Sequence, residues 1–262
     1  MNTERIEQFS YWIRERESIR IKKDAGEKRL WSEDPIFNRF HFCNVHREDD
    51  RGTKELRDVV HKHKVEKEDL PWVYTVARLF NKASSLDMVL RKSASWRELL
   101  QDERARGRIV FHTAYVVSTC GKKMDKIEYV HDVMDEVQNI EVPDTSCWEA
   151  YEALRKVDGL GSFLAAQVVA DLKRDGYIDP NCKDFDTFSV IGPGSKKGLD
   201  FLFEGGTTER NYASRIGDLE GVLPEDIRAM KIDRQDLQNC LCEFSKYMRH
   251  KLDLTGRKRL YA

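Results

Sequence analysis

The stretch LRKVDGLGSFLAAQVVADLKRDGYIDPNCKDFDTFSVIGPGS, residues 154–195, constrains the chain more than any other. Leu154 and Val157 close one apolar-faced helix, Gly159-Leu160-Gly161 makes a tight turn, and Phe163, Ala166, Val169 and Ala170 recur at helical spacing. The pattern is helix, glycine hairpin, helix, over about residues 146–175. Its glycines permit left-handed backbone and close approach, so the amides at the start of the second helix, from Gly159, Leu160, Gly161 and Ser162, can face a phosphate. Such contacts hold nucleic-acid backbone without reading bases. The same two glycines also suit a plain helix end followed by a helix start.

A chain of 262 residues can bury one large core or two lobes, and its 40% hydrophobic and 35% charged residues describe a folded, heavily solvated helical protein. Lys plus Arg number 45 against 46 for Asp plus Glu, so a nucleic-acid surface has to come from local patches. Cys43, Cys120, Cys147, Cys182, Cys240 and Cys242 form no C-x-x-C pair, which with no secretory leader in view predicts reduced thiols and a cytoplasmic setting. His41, Cys43 and His46 lack a second ligand cluster at familiar zinc spacing, and neither a metal nor a cofactor is expected. No apolar run is long enough for a membrane span, and monomer is the default.

Along the chain, residues 3 to about 22 predict a helix with Ile6, Phe9, Trp12 and Ile13 inside and Arg14, Arg16, Arg20, Lys22 and Lys23 in water. Residues 31–53 have no regular period, yet they crowd Trp31, Phe37, Phe40 and Phe42 among charges. Aromatic packing should fold that polar segment onto the rest, making its charges site candidates, although internal salt bridges serve nearly as well. Further helices are expected over 71–92, from Trp96, over 109–117, over 123–137, over 210–219, after Pro224, and over 234–251. Arg78 and Asn81 are assigned to an exposed helix face, and Asp144 or Thr145 to the cap of the first hairpin helix. Gly192-Pro193-Gly194-Ser195-Lys196-Lys197-Gly198 is read as a glycine-rich turn able to cradle an anion; it is no P-loop, so an ATP-driven kinase is not expected. On the last helix Asn239, Glu243 and Lys246 share a second face, either a polar site or an ordinary solvated stripe.

The hairpin followed by Lys183-Asp184-Phe185-Asp186-Thr187-Phe188 resembles the helix-hairpin-helix DNA glycosylase superfamily, with Asp186 as the matching carboxylate. The chain departs from it at Phe188, where many members have His, and at Phe163, where bifunctional members carry the lyase lysine. The four-cysteine iron–sulfur pattern of some members is also missing.

RFHFCNVHREDDR (39–51), WVYTVARLFN (72–81), VFHTAYVVST (110–119), FSVIGPGSKKGL (188–199) and LQNCLCEFSKYMR (237–249) together resemble a narrower group. These are the phage thymidine-hypermodification proteins, the alpha-glutamyl/putrescinyl-thymine pyrophosphorylases or amino acid:DNA transferases, whose helical module is shared with 5-hydroxymethyluracil DNA kinases. The resemblance implies an all-α, two-lobed glycosylase-like fold over 1–262 with segment 31–53 packed on it. It also implies a transferase that displaces pyrophosphate from 5-pyrophosphoryloxymethyluracil in DNA with an amino acid or polyamine nitrogen. The implied partners are modified DNA, the amine and a 5-hydroxymethyluracil DNA kinase, in a host cytoplasm if the chain is phage-encoded.

The residues are then assigned to that chemistry. Arg47, Arg51, Lys196 and Lys197 take phosphate or pyrophosphate, and Asp186 is general base or cation stabiliser. Asn44 and Asn239 read the pyrimidine edge, Glu243 and Asp50 orient the amine, Lys246, on one helix face with Asn239 and Glu243, joins the substrate-binding set, and Phe42 and Phe188 stack. Two alternatives stand beside it: a non-catalytic DNA-binding module serving a separate kinase, and a monofunctional glycosylase.

Overall fold

The protein is described here from a computed structural model that covers residues 3–91, 95–112 and 118–252. Within those residues there are thirteen α-helices and no β-strand, in agreement with the all-α expectation. In chain order they are α1 (Thr3–Asp24), α2 (Pro35–Arg39), α3 (Arg51–Lys62), α4 (Leu70–Phe80), α5 (Ala83–Leu90), α6 (Trp96–Ala105) and α7 (Lys126–Gln138). Then come α8 (Cys147–Leu154), α9 (Ser162–Arg174), α10 (Pro193–Leu202), α11 (Glu209–Val222), α12 (Glu225–Arg228) and α13 (Arg234–Lys251). None is long and apolar enough to cross a membrane.

The chain forms two compact units, Met1–Asp50 with Ser189–Ala262, and Arg51–Phe188. In the first unit the apolar face of α1 (Phe9, Trp12, Ile13, Ile19) packs with Phe37, Phe42, Leu199, Leu241, Phe244 and Tyr247 in one core. The aromatic residues of segment 31–50 are what fold it. Phe37 stacks on Tyr247 at 5.2 Å between ring centroids and meets Phe42 at 5.3 Å, while Phe40 stacks on His250 at 3.7 Å.

Residues 193–202 are helix α10, not the glycine-rich turn read from the sequence. The reason is packing: a side chain at Gly198 would run into the Leu241 carbonyl of α13, and one at Gly194 into Cys242. The glycines let two helix backbones approach, a use of missing Cβ atoms distinct from binding an anion. Pro193 supplies the preset first turn.

In the second unit α4 is buried along nearly its whole length and packs against α7 and α9. Arg78, expected on an exposed face, is buried and bidentate to Asp171 of α9, both bonds 2.5 Å, with Thr53 as a further acceptor. Asn81 is not on an exposed helix face either; it is half-buried. It caps α4 in the left-handed region at φ 48. The helix expected over 109–117 lies partly outside the described residues, and Ile109–His112 are not helical.

The cap of α8 also differs from expectation. Ser146, not Asp144 or Thr145, occupies it, and Asp184 reinforces it from a distance: its carboxylate accepts from the Ser146 hydroxyl (2.8 Å) and the Cys147 (3.2 Å) and Trp148 (2.8 Å) amides. Burial pushes the Asp184 carboxyl up, but these donors outweigh it and hold it below the ordinary range. Between α8 and α9, Gly159 sits at φ +100 with the Tyr129 hydroxyl where a Cβ would go, so only glycine fits. Leu160 is buried, and Gly161 opens α9 without a side-chain cap.

Candidate functional site

The polar cluster of the first unit is built from α13 and from segment 42–50. On α13, Asp236, Asn239, Cys240 and Glu243 recur at helical spacing and line one face. Each reaches the segment. Asp236 accepts from the Arg47 amide (3.0 Å) and bonds His46 Nδ1 (3.2 Å), and Asn239 donates to the Asn44 carbonyl (3.4 Å). Cys240 Sγ meets the Val45 carbonyl at 3.6 Å, and Glu243 accepts from the Cys43 amide at 2.9 Å. The segment has no strand ladder to satisfy its backbone, so side chains of α13 do that work.

From the other side, Arg16 of α1 donates to the carbonyls of Phe42 (3.2 Å) and Cys43 (2.9 Å) and to the Asn44 side-chain oxygen. Its buried Nη1 has no acceptor among the described residues. Asn44 in turn donates to the Asp49 carbonyl, and its amide donates to Asp50 Oδ1 at 2.8 Å. Lys246 pairs with Glu243 at 2.6 Å and lies 4.7 Å from the centre of the Phe42 ring.

Burial raises the Asp50 carboxyl above its ordinary value, against the pull of the Asn44 amide and of Arg47 and Arg16. His46 is raised as well, first by its bond to Asp236, with burial opposing. The Cys43 and Cys240 thiols are pushed up by burial, which keeps them protonated and poor nucleophiles.

Of the residues assigned from sequence, Asn44, Arg47, Asp50, Asn239, Glu243 and Lys246 therefore meet in this cluster, and the others lie elsewhere. Phe42 is fully buried, its ring occupied by Trp12, Phe37, Tyr247 and Lys246, so it has no face for a base. Phe188 is likewise buried, against Trp148 and Tyr151 of the second unit. Both are core residues. Arg51 is the first residue of α3, exposed and paired with Glu55 one turn on. Lys196 spends its charge on Asp200 of α10 at 2.9 Å, and Lys197 is exposed on the same helix. Asp186 is exposed on the turn that follows Asp184. Asn44 and Asn239 use the bonds above to hold the segment, which leaves Asn44 little capacity to read a base edge.

Two members of the cluster escaped the sequence reading. Arg16 counts by composition as one more wet cation near the end of α1, yet it is 4% exposed. Its register was the available signal: it follows Trp12 and Ile13 at helical spacing and precedes Ile19 by three, on the apolar face. Asp236 carries the same kind of signal, three residues before Asn239 and seven before Glu243.

With this geometry in hand, the comparison with known proteins is decisive at the family level. A family model described as the helical domain of 5-hmdU DNA kinase matches residues 3–255. The chain belongs to that family. A 5-hmdU DNA kinase of Bacillus phage SP10 is 26% identical over 265 residues, covering 86% of this chain and 42% of that protein. The chain thus spans under half the length of this curated relative. No solved structure matches it. The cluster on α13 falls within the matched residues.

Proposed function

We propose that the chain is a DNA-base transferase of thymidine hypermodification, acting on 5-pyrophosphoryloxymethyluracil in DNA and replacing pyrophosphate with an amino acid or polyamine nitrogen. The observation that carries this reading is the pairing of carboxylates and cations where segment 42–50 meets α13: Glu243 with Lys246 on the helix, and Asp50 of the segment beside Arg47 and Arg16. In the reaction the amine nitrogen bonds the exocyclic methylene carbon as its C–O bond breaks and pyrophosphate departs. The ammonium gives up a proton to a carboxylate, for which Asp50, raised by burial, and Glu243 are suited. Arg47 and Lys246 stabilise the leaving oxygens. Arg16, Asn44, Asn239 and Asp236 act through the segment, holding it against α13.

DNA is gripped by the hairpin, in a helix-hairpin-helix arrangement of the glycosylase-like type. The uncapped first turn of α9, from Gly161 and Ser162, offers backbone amides to a phosphate, and Gly159 and Leu160 set its approach. Asp186, exposed beyond the hairpin, is the further candidate carboxylate that the glycosylase resemblance supplies.

A second reading has its own support. The relative is named a kinase, and this chain corresponds to 42% of it, so the helices can serve as a module that presents modified DNA to a 5-hydroxymethyluracil DNA kinase. Nucleoside mass spectrometry of 5-pyrophosphoryloxymethyluracil DNA, incubated with the chain and a mixture of glycine, glutamate and putrescine, separates the two. A mass gain matching one amine, lost in Glu243→Gln and Arg47→Ala, is the transferase result. Bound but unchanged DNA gives the module, and abasic product would make the chain a glycosylase dependent on Asp186.

A further inference from the structure

Within the second unit, the segment after α9 returns to the start of α8 and gathers three donor side chains from separate parts of the sequence. One ligand atom each of Cys147, Cys182 and Asp184 lies within 4.8 Å of the others. We propose that these residues form a zinc-class metal site, with two thiolates and one carboxylate oxygen as protein ligands and a water in the fourth position. Neither the family nor the transferase reading assigns these residues a role, and the inference stands independently of both.

The dimensions suit the ion. Two thiolates at tetrahedral zinc, each about 2.3 Å from the metal, stand roughly 3.8 Å apart, inside the observed spread. Two sulfur donors favour zinc over magnesium or calcium, which take oxygen.

Asp184 is already held in place. Three of the roughly four lone-pair positions of a carboxylate are filled by the Ser146 hydroxyl and the Cys147 and Trp148 amides. The remaining interaction is with the Cys182 thiol, which also bonds the Cys147 thiol. A metal ion entering here replaces the two thiol protons and keeps the three capping bonds. The balance is simple: one divalent ion binds, two protons leave to solvent, and no electron moves. Metal binding would then reuse an existing cap as the outer hydrogen bonds that orient a ligand.

Charge and access agree. Two thiolates, a carboxylate and a divalent ion sum to one negative charge, and the buried Lys173 ammonium, which acts electrostatically on Cys147, offsets it. Cys147 is fully buried while Cys182 is partly exposed, giving the ion a dry wall and an entrance.

Cobalt(II) titration of the reduced chain reads the site directly. The expected result is one equivalent bound with a thiolate-to-cobalt charge-transfer band and tetrahedral d–d absorption, displaced by zinc. Cys182→Ser, at a partly exposed position, should abolish the band, and Cys120→Ser, at an exposed thiol, should leave it intact. Zinc should also raise the melting temperature of the unaltered chain but not of Cys182→Ser, because the ion ties 179–188 to α8. Absence of the band, or a band that survives Cys182→Ser, would overturn the proposal.

Discussion

Two buried arginines are used in opposite ways. In the second unit Arg78 is bidentate to a carboxylate, both oxygens of Asp171, and so fastens α4 to α9. In the first unit Arg16 is given mainly to neutral acceptors, the carbonyls of Phe42 and Cys43 and the side chain of Asn44. Its charge is therefore left to act on its surroundings, and Asp50 feels it. A neutralised buried pair builds scaffold, whereas an arginine held by dipoles creates a field in which other groups titrate. On that contrast the second unit's α4–α9 pairing is structural, and the first unit's cluster is where the proposed transferase reading puts its chemistry.

The largest effect should come from breaking the scaffold pair. Arg78→Met leaves Asp171 buried without its cation, and chemical denaturation should show a loss of about 3–5 kcal/mol. Replacing both partners, Arg78→Met with Asp171→Leu, should recover most of it. A double variant as unstable as the single one would mean that Arg78 does more than neutralise Asp171.

The matching experiment in the cluster changes activity more than stability. Glu243→Gln keeps the shape and the bond from the Cys43 amide but removes the carboxylate charge beside Lys246. Transfer should fall by roughly 100-fold or more, the size expected for removing a general base. Equal losses of activity and of melting temperature would instead make Glu243 another scaffold residue, and the contrast between the arginines would lose its meaning.

The packing of α10 on α13 within the first unit offers an intermediate case. Gly198→Ala places a methyl against the Leu241 carbonyl, and forcing α10 off α13 should cost about 1–3 kcal/mol by thermal unfolding. An unchanged melting temperature would show that α10 can shift freely, and the anion-binding role read for this segment would regain ground.

These cases also show what the sequence could carry. The helices were legible because apolar residues recur at 3.6-residue spacing, as along α1 and α13, and the glycine turn before α9 was legible from its composition. Helix α10 was not, because Pro193, Gly194 and Gly198 read locally as a turn and only the facing backbone of α13 explains them. Within the candidate site, Glu243 and Lys246 were visible as neighbours on a helix. Phe42 and Phe188 were misassigned because an aromatic residue that stacks a base and one that fills a core look alike in sequence. The Cys147–Cys182–Asp184 group was invisible for a different reason, since its ligands are joined by the return of the chain and follow no familiar spacing.

The smallest effect tests the field around segment 42–50 through pH. The bond to Asp236 raises His46 above its ordinary 6.5, against the opposing effect of burial. A histidine raised on folding adds stability that is fully present below its unfolded value and is lost as pH rises through its folded value. The unaltered chain should therefore lose a fraction of its stability as pH rises from about 6.5 through its raised folded value, and His46→Asn should flatten that part of the profile. Part of the residual slope belongs to Asp50, whose raised carboxyl stabilises the fold at low pH and gives that contribution up as it ionises. The two are separable because Asp50 titrates from its ordinary 3.8 upward and Asp50→Asn removes only that lower limb. An identical profile in His46→Asn would mean that Asp236, which also accepts from the Arg47 amide, does not depend on the imidazolium, and that the histidine contributes packing without charge.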